Sequence, residues 1–104
     1  MTKETEKAFK ILYCEYKRRR KAGSSKATAM EFEDGTITTI SAFQKWLPED
    51  VRYAIQELKA VGYVKIDIIG DVTLTESGIA FMENKPKEFF SDLTGLFDLV
   101  TLFV

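Results

Sequence analysis

Apolar residues recur first at helical spacing and then, beyond residue 63, at every second position. Over residues 2–22, Phe9, Leu12, Tyr13 and Tyr16 fall on one face with Ala8 at its edge, which predicts a helix with a buried stripe. Thr2 or Thr5 can cap its start, Lys17–Lys21 fill its last turn, and Gly23 follows as a stop. Ser24-Ser25 open a second, short helix over residues 26–33, with Ala29 and Phe32 inward, and Asp34-Gly35 breaks it. The β-branched run over residues 36–40 predicts a short strand, and residues 41–46 a helical turn.

A third helix opens at Pro48, with Glu49 and Asp50 suited to the positive end of its dipole. Trp46 and Val51 have the spacing of a hydrophobic staple, Val51, Ile55 and Leu58 form the inner stripe, and Gly62 ends the helix. Val64, Ile66 and Ile68 then alternate with Lys65 and Asp67 as a half-buried strand, Ile69-Gly70-Asp71 make a tight turn, and residues 72–74 return. Thr75 caps a fourth helix, with Ile79, Ala80 and either Met82 or Glu83 at its faces, which stops at Lys85-Pro86. Residues 87–104 predict an apolar helix with a stripe about 120° wide, too broad to remain uncovered.

The expected class is α+β, mostly α: a domain over residues 1–84 and a C-terminal helix over 85–104. Helix, gap, helix, hairpin and helix is the order of a winged helix-turn-helix domain. The run Ile55-Gln56-Glu57-Leu58-Lys59-Ala60-Val61-Gly62-Tyr63-Val64, with the hairpin and Leu74-Thr75-Glu76-Ser77-Gly78 after it, resembles the third helix, wing and exit of small bacterial and phage winged-helix proteins. The likeness covers about residues 2–84. It implies three core helices, a two-stranded wing and a DNA-binding regulator, often dimeric, with its third helix in the major groove.

Charge divides along the chain. Residues 1–26 carry nine basic and three acidic residues, net +6, and residues 27–104 carry six basic and thirteen acidic, net −7. The strongest binding candidate is therefore Lys17, Arg18, Arg19, Arg20 and Lys21 with Ser24, Ser25 and Lys26. There a helix end and a new helix start could clamp a phosphate. Basic residues also offset a helix dipole, but five in succession exceed what capping requires. Arg52, Gln56 and Lys59, spaced i, i+4, i+7, are candidate base contacts, or else an ordinary solvated face. Residues 48–74 hold three basic and five acidic residues, net −2, and the wing has no Arg. A second expectation is thus a protein–protein interaction module on the same scaffold.

For the apolar tail, Phe89, Phe90, Leu93, Leu96, Phe97, Val100 and Phe103 are the expected homodimer interface, against the alternative that they complete the protomer's own core. Glu88, Asp92 and Asp98 speak against a membrane span. No histidine is present, which removes His-based acid–base chemistry, triads and His metal ligands. No cofactor or metal is expected, nor an enzyme. Cys14, the single cysteine, reads as a structural thiol without an activating neighbour, and a cytoplasmic setting is the default.

Overall fold

The computed structural model describes residues 1–93. They form a mostly helical α+β unit with a small three-stranded antiparallel sheet. The order is α1 (Lys3–Lys21), α2 (Lys26–Met30), β1 (Glu31–Phe32), two 3-10 turns (Ile37–Thr39 and Ser41–Phe43), α3 (Pro48–Val61), β2 (Val64–Ile66), β3 (Val72–Leu74), α4 (Glu76–Glu83) and a 3-10 helix (Lys87–Leu93).

Helix α1 starts where the Thr2 hydroxyl accepts a hydrogen bond from the Thr5 amide. Its burial goes beyond one stripe. Every residue from Ala8 to Tyr16 is buried, Ile11 and Cys14 included. The helix is the axis of the core, in contact with α2, α3, α4 and the last 3-10 helix. A buried helical belt cannot leave charged or hydroxyl groups stranded at no cost, and Thr5, Lys10 and Glu15 each have a partner. The Thr5 hydroxyl donates to Glu57 of α3. Lys10 lies 3.1 Å from Asp92 and 3.6 Å from Glu6, with its ammonium 4.3 Å from the centre of the Phe89 ring. Glu15 receives Arg18 and Arg19. Among the described residues no buried side-chain nitrogen or oxygen lacks a hydrogen-bond partner.

The middle of the chain departs from the expected pattern. Helix α2 spans only five residues, and the end of the expected helix is strand β1, with Glu31 opposite Thr73 and Phe32 opposite Val72. Pairing with β3 satisfies backbone groups that a frayed second turn would leave open, and it buries Phe32 completely. Residues 36–40, expected as a strand, instead contain a 3-10 turn. Hydroxyls of Thr36, Thr38 and Thr39 each donate to the carbonyl three residues earlier, so the β-branched run closes on itself. The expected turn over 41–46 is present as the 3-10 turn Ser41–Phe43, with Trp46 edge-on to Phe43.

Helix α3 has Pro48 at its first position and ends at Gly62, whose φ of 93° is left-handed. Val51, Ala54, Ile55 and Leu58 face inward. The hairpin turn is one step earlier than the sequence suggests. The Gly70 amide donates to the Asp67 carbonyl, and the Asp67 carboxylate accepts from the amides of Ile69 and Asp71. Ile68 therefore leaves the strand and stands in solvent at the tip beside Ile69. Helix α4 also buries Ile79 and Met82, whereas Ala80 faces outward.

The Leu74–Gly78 run has a physical basis. The Thr75 hydroxyl donates to the Gly62 carbonyl at 2.7 Å and accepts from the Gly78 amide at 3.0 Å. Gly78 lies so close to β2 that a Cβ there would be 2.5 Å from the Tyr63 carbonyl oxygen. Tyr63 stacks with Phe9 and packs on Phe81, closing this end of the core.

Of the expected tail interface, Phe90 and Leu93 are fully buried within the protomer, Phe90 stacked 5.8 Å from Tyr13. They cannot offer surface to a mate, because α1 already covers them. Phe89 is partly buried beneath the Lys10 and Lys85 ammoniums. The described part of the tail is a 3-10 helix. Leu96, Phe97, Val100 and Phe103 lie outside the described residues.

Gly78→Ala should destabilise by about 2 kcal/mol or more in urea melts, because its Cβ meets backbone. Helix propensity alone would make the same change stabilising by about 1 kcal/mol, so the sign discriminates. Burial pushes the Cys14 thiol from an ordinary 9.0 up to about 12, with Asp92 reinforcing and Lys10 opposing. Burial, with Glu83 next, also raises the Tyr13 phenol. A raised acid stays neutral when folded, so its contribution is complete below pH 9.0 and is lost as pH climbs toward 12. Cys14→Ala should remove about 1.4 kcal/mol per pH unit from that alkaline fall, whatever its offset at neutral pH.

Candidate nucleic-acid interface

The basic run at the end of α1 is divided between structure and surface. Arg18 donates from both Nε and Nη2 to Glu15, and this hydrogen bond, with the nearby carboxylate charge, raises its pKa further. Arg19 is the strut of the region. Its Nη1 donates to the Glu31 carbonyl at 2.7 Å, its Nε lies 3.4 Å from Glu15, and its guanidinium sits 4.3 Å from the centre of the Phe32 ring. It therefore joins the end of α1 to β1 through an ion pair, a backbone acceptor and a ring face. Arg20 donates to the Ser24 carbonyl at 3.1 Å. Lys26 pairs with Glu76 at 2.9 Å.

The expected phosphate clamp with Ser24 and Ser25 is not assembled. Ser25 is the cap of α2, accepting from the Thr28 amide and donating to the Thr28 hydroxyl. Helix α2 has five residues, too few for a substantial dipole. Ser24 contributes its carbonyl, an acceptor, to Arg20. What remains of the patch is Lys17, Arg20 and Lys21, with no carboxylate partner among the described residues.

On α3 the opposite sorting occurs. Arg52, Gln56 and Lys59 are all exposed, and Tyr53 is exposed beside them. The four fall within an arc of roughly 120° at 100° per residue. None has an ion pair or side-chain hydrogen bond among the described residues. Glu57 points the other way, held by the Thr5 hydroxyl against α1. The outward face thus carries two cations, an amide and a phenol, with Glu49 in the first turn as its one acid. Tyr53 was the residue missed in the sequence. Its signal was present, since it lies three positions before Gln56 and off the buried stripe.

Segment 35–41 links the two regions. Thr36, Thr39, Ile40 and Ser41 border a depression beside Arg18 and Arg19, and Gly35, Ile37 and Thr38 border a groove beside Arg52 and Gln56. That groove, about 350 Å³, runs between α3 and the hairpin. Among the described residues there is no group of three or more Cys, Asp or Glu that could hold a metal, and no helix long and apolar enough to cross a membrane. No protein-family model, curated protein or solved structure matches the chain.

Arg19→Ala should cost about 1–2 kcal/mol in denaturant melts, because β1 loses its anchor and Phe32 its cover. Lys21→Ala should leave the melt within about 0.5 kcal/mol of the parent. Equal losses would mean that the run is a uniform solvated surface.

Proposed function

We propose that the chain is a winged-helix protein that binds duplex DNA through the outward face of α3, as a non-enzymatic regulator. The observation that carries this reading is the free Arg52, Tyr53, Gln56 and Lys59 face, with Glu57 turned away from it. Arg and Gln side chains can each make bidentate contacts to base edges, and exposed Lys neutralises phosphate.

The element order supports the scaffold. Strand β1 precedes α3, the sheet order is β1-β3-β2, and a hairpin follows α3 directly. In this reading the 3-10 turns Ile37–Thr39 and Ser41–Phe43 stand where the first helix of a helix-turn-helix would be. Lys17, Arg20 and Lys21 supply further phosphate contacts. Segment 35–41 borders both regions, with Thr36 and Thr39 beside Arg18 and Arg19 and with Ile37 and Thr38 beside Arg52 and Gln56.

Titration of a mixed-sequence duplex in low salt tests the proposal. Binding with a dissociation constant of about 10⁻⁴–10⁻⁶ M, falling steeply with salt, is expected. Arg52→Ala with Lys59→Ala should weaken it about tenfold or more and reduce the log–log salt slope by about 0.9 for each lost phosphate contact. A folded protein with no binding at 100 micromolar, or a double variant that binds like the parent, refutes the reading.

A further inference from the structure

The hairpin has the wrong chemistry for the partner that α3 suits. Its tip places two isoleucines at the centre of a tight turn, Ile68 with relative exposure of 103% and Ile69 of 67%. Turn centres favour Gly, Asn, Asp and Ser for conformational reasons, and neither isoleucine contributes to the core. The turn holds itself through the Asp67 carboxylate, so the apolar tip is not a requirement of its own folding.

Behind the tip lies the 350 Å³ groove, with Ile37, Val51, Ile55, Ile66 and Val72 in its walls and Arg52 and Gln56 on its α3 side, across from the acidic rim. Glu33 and Asp34 form its outer rim. Asp34 is fixed there, since its amide donates to the Asp71 carboxylate at 2.8 Å and its carboxyl sits 2.9 Å from where a Gly70 Cβ would be. Glu33, Asp34, Asp67 and Asp71 thus surround the apolar tip and groove mouth, and no ion pair reaches any of them among the described residues. Four uncompensated carboxylates repel a phosphate backbone and attract ammonium and guanidinium groups.

We infer that the hairpin tip and the groove behind it dock a basic amphipathic segment of a partner protein. Its apolar side chains cover Ile68 and Ile69 and enter the groove, and its Lys or Arg residues face Glu33 and Asp34. This surface adjoins the α3 face, sharing Arg52 and Gln56 along the α3 side of the groove, but it does not depend on DNA binding there.

Backbone amide shifts in ¹⁵N-labelled full chain test the inference with three probes: a twelve-residue amphipathic Lys/Leu peptide, the matching Glu/Leu peptide, and a fifteen-base-pair duplex. The Lys/Leu peptide should shift amides of residues 33–38, 51–56 and 66–72, and the Glu/Leu peptide should leave them unmoved. Ile68→Ser with Ile69→Ser should weaken Lys/Leu binding at least tenfold with an unchanged melting midpoint, since both side chains lie outside the core. Glu33→Gln with Asp34→Asn should weaken it several-fold and increase the residual affinity for the Glu/Leu peptide, an independent check should the serine variant fold poorly. Shifts elsewhere, equal response to both peptides, or unchanged affinity in the variants overturn the inference. Shifts of Ile68 and Ile69 with the duplex would make the tip a nucleic-acid contact and overturn it too. Failure of the DNA proposal would show separately, as still amides on α3 when the duplex is added.

Discussion

Nine consecutive residues of α1 are buried, and that belt sets the terms for everything around it. A helix enclosed on all sides must satisfy each polar side chain within the protein. Thr5, Lys10 and Glu15 meet this condition by reaching to different neighbours. Thr5 holds α3 through Glu57, Lys10 holds the last 3-10 helix through Asp92, and Glu15 holds Arg19, which holds β1. The polar residues of the axis are therefore its connectors. Apolar packing supplies most of the driving force, while these contacts specify which element lies against which side.

The elements legible in the sequence are those with local stop signals. Helices α1, α3 and α4 begin at Thr2, Pro48 and Thr75, and the first two end near Gly23 and Gly62. The elements that were not legible depend on distant partners. Glu31 and Phe32 could extend a helix, and only β3, far along the chain, makes them a strand. Residues 36–40 have strand-forming side chains but no sheet edge to join, and their threonine hydroxyls find backbone acceptors nearby. Ile68 continued the alternation of Val64 and Ile66, yet one Asp67 side chain ended the strand before it.

The candidate site shows why a charge tally misleads. Residues 48–74 sum to −2, but Glu57 turns inward, and Asp67 and Asp71 lie at the hairpin rather than on α3. The solvent-facing side of α3 keeps Arg52 and Lys59. The +6 segment loses Arg18 and Arg19 to Glu15, and Lys26 to Glu76. Sequence patterning located the residues, but their direction depends on tertiary contacts such as Thr5 to Glu57, fifty-two positions apart. Tyr53 is the counterexample, an exposed ring whose place beside Gln56 follows from helical periodicity alone.

Cys14 lies inside the belt of α1, with its sulfur closed off by the surrounding core. A thiol reagent added to the native protein cannot reach it without parting α1 from its neighbours, and movement of the hairpin tip alone would not suffice. The rate at which this one atom becomes modified is consequently a clock for the parting of α1 from the elements packed on it, the last 3-10 helix among them. It needs no introduced label, because the chain has no second cysteine to confuse the reading. Under conditions where reclosing outpaces modification, that rate reports the free energy of opening; where modification is faster, it reports the opening rate itself.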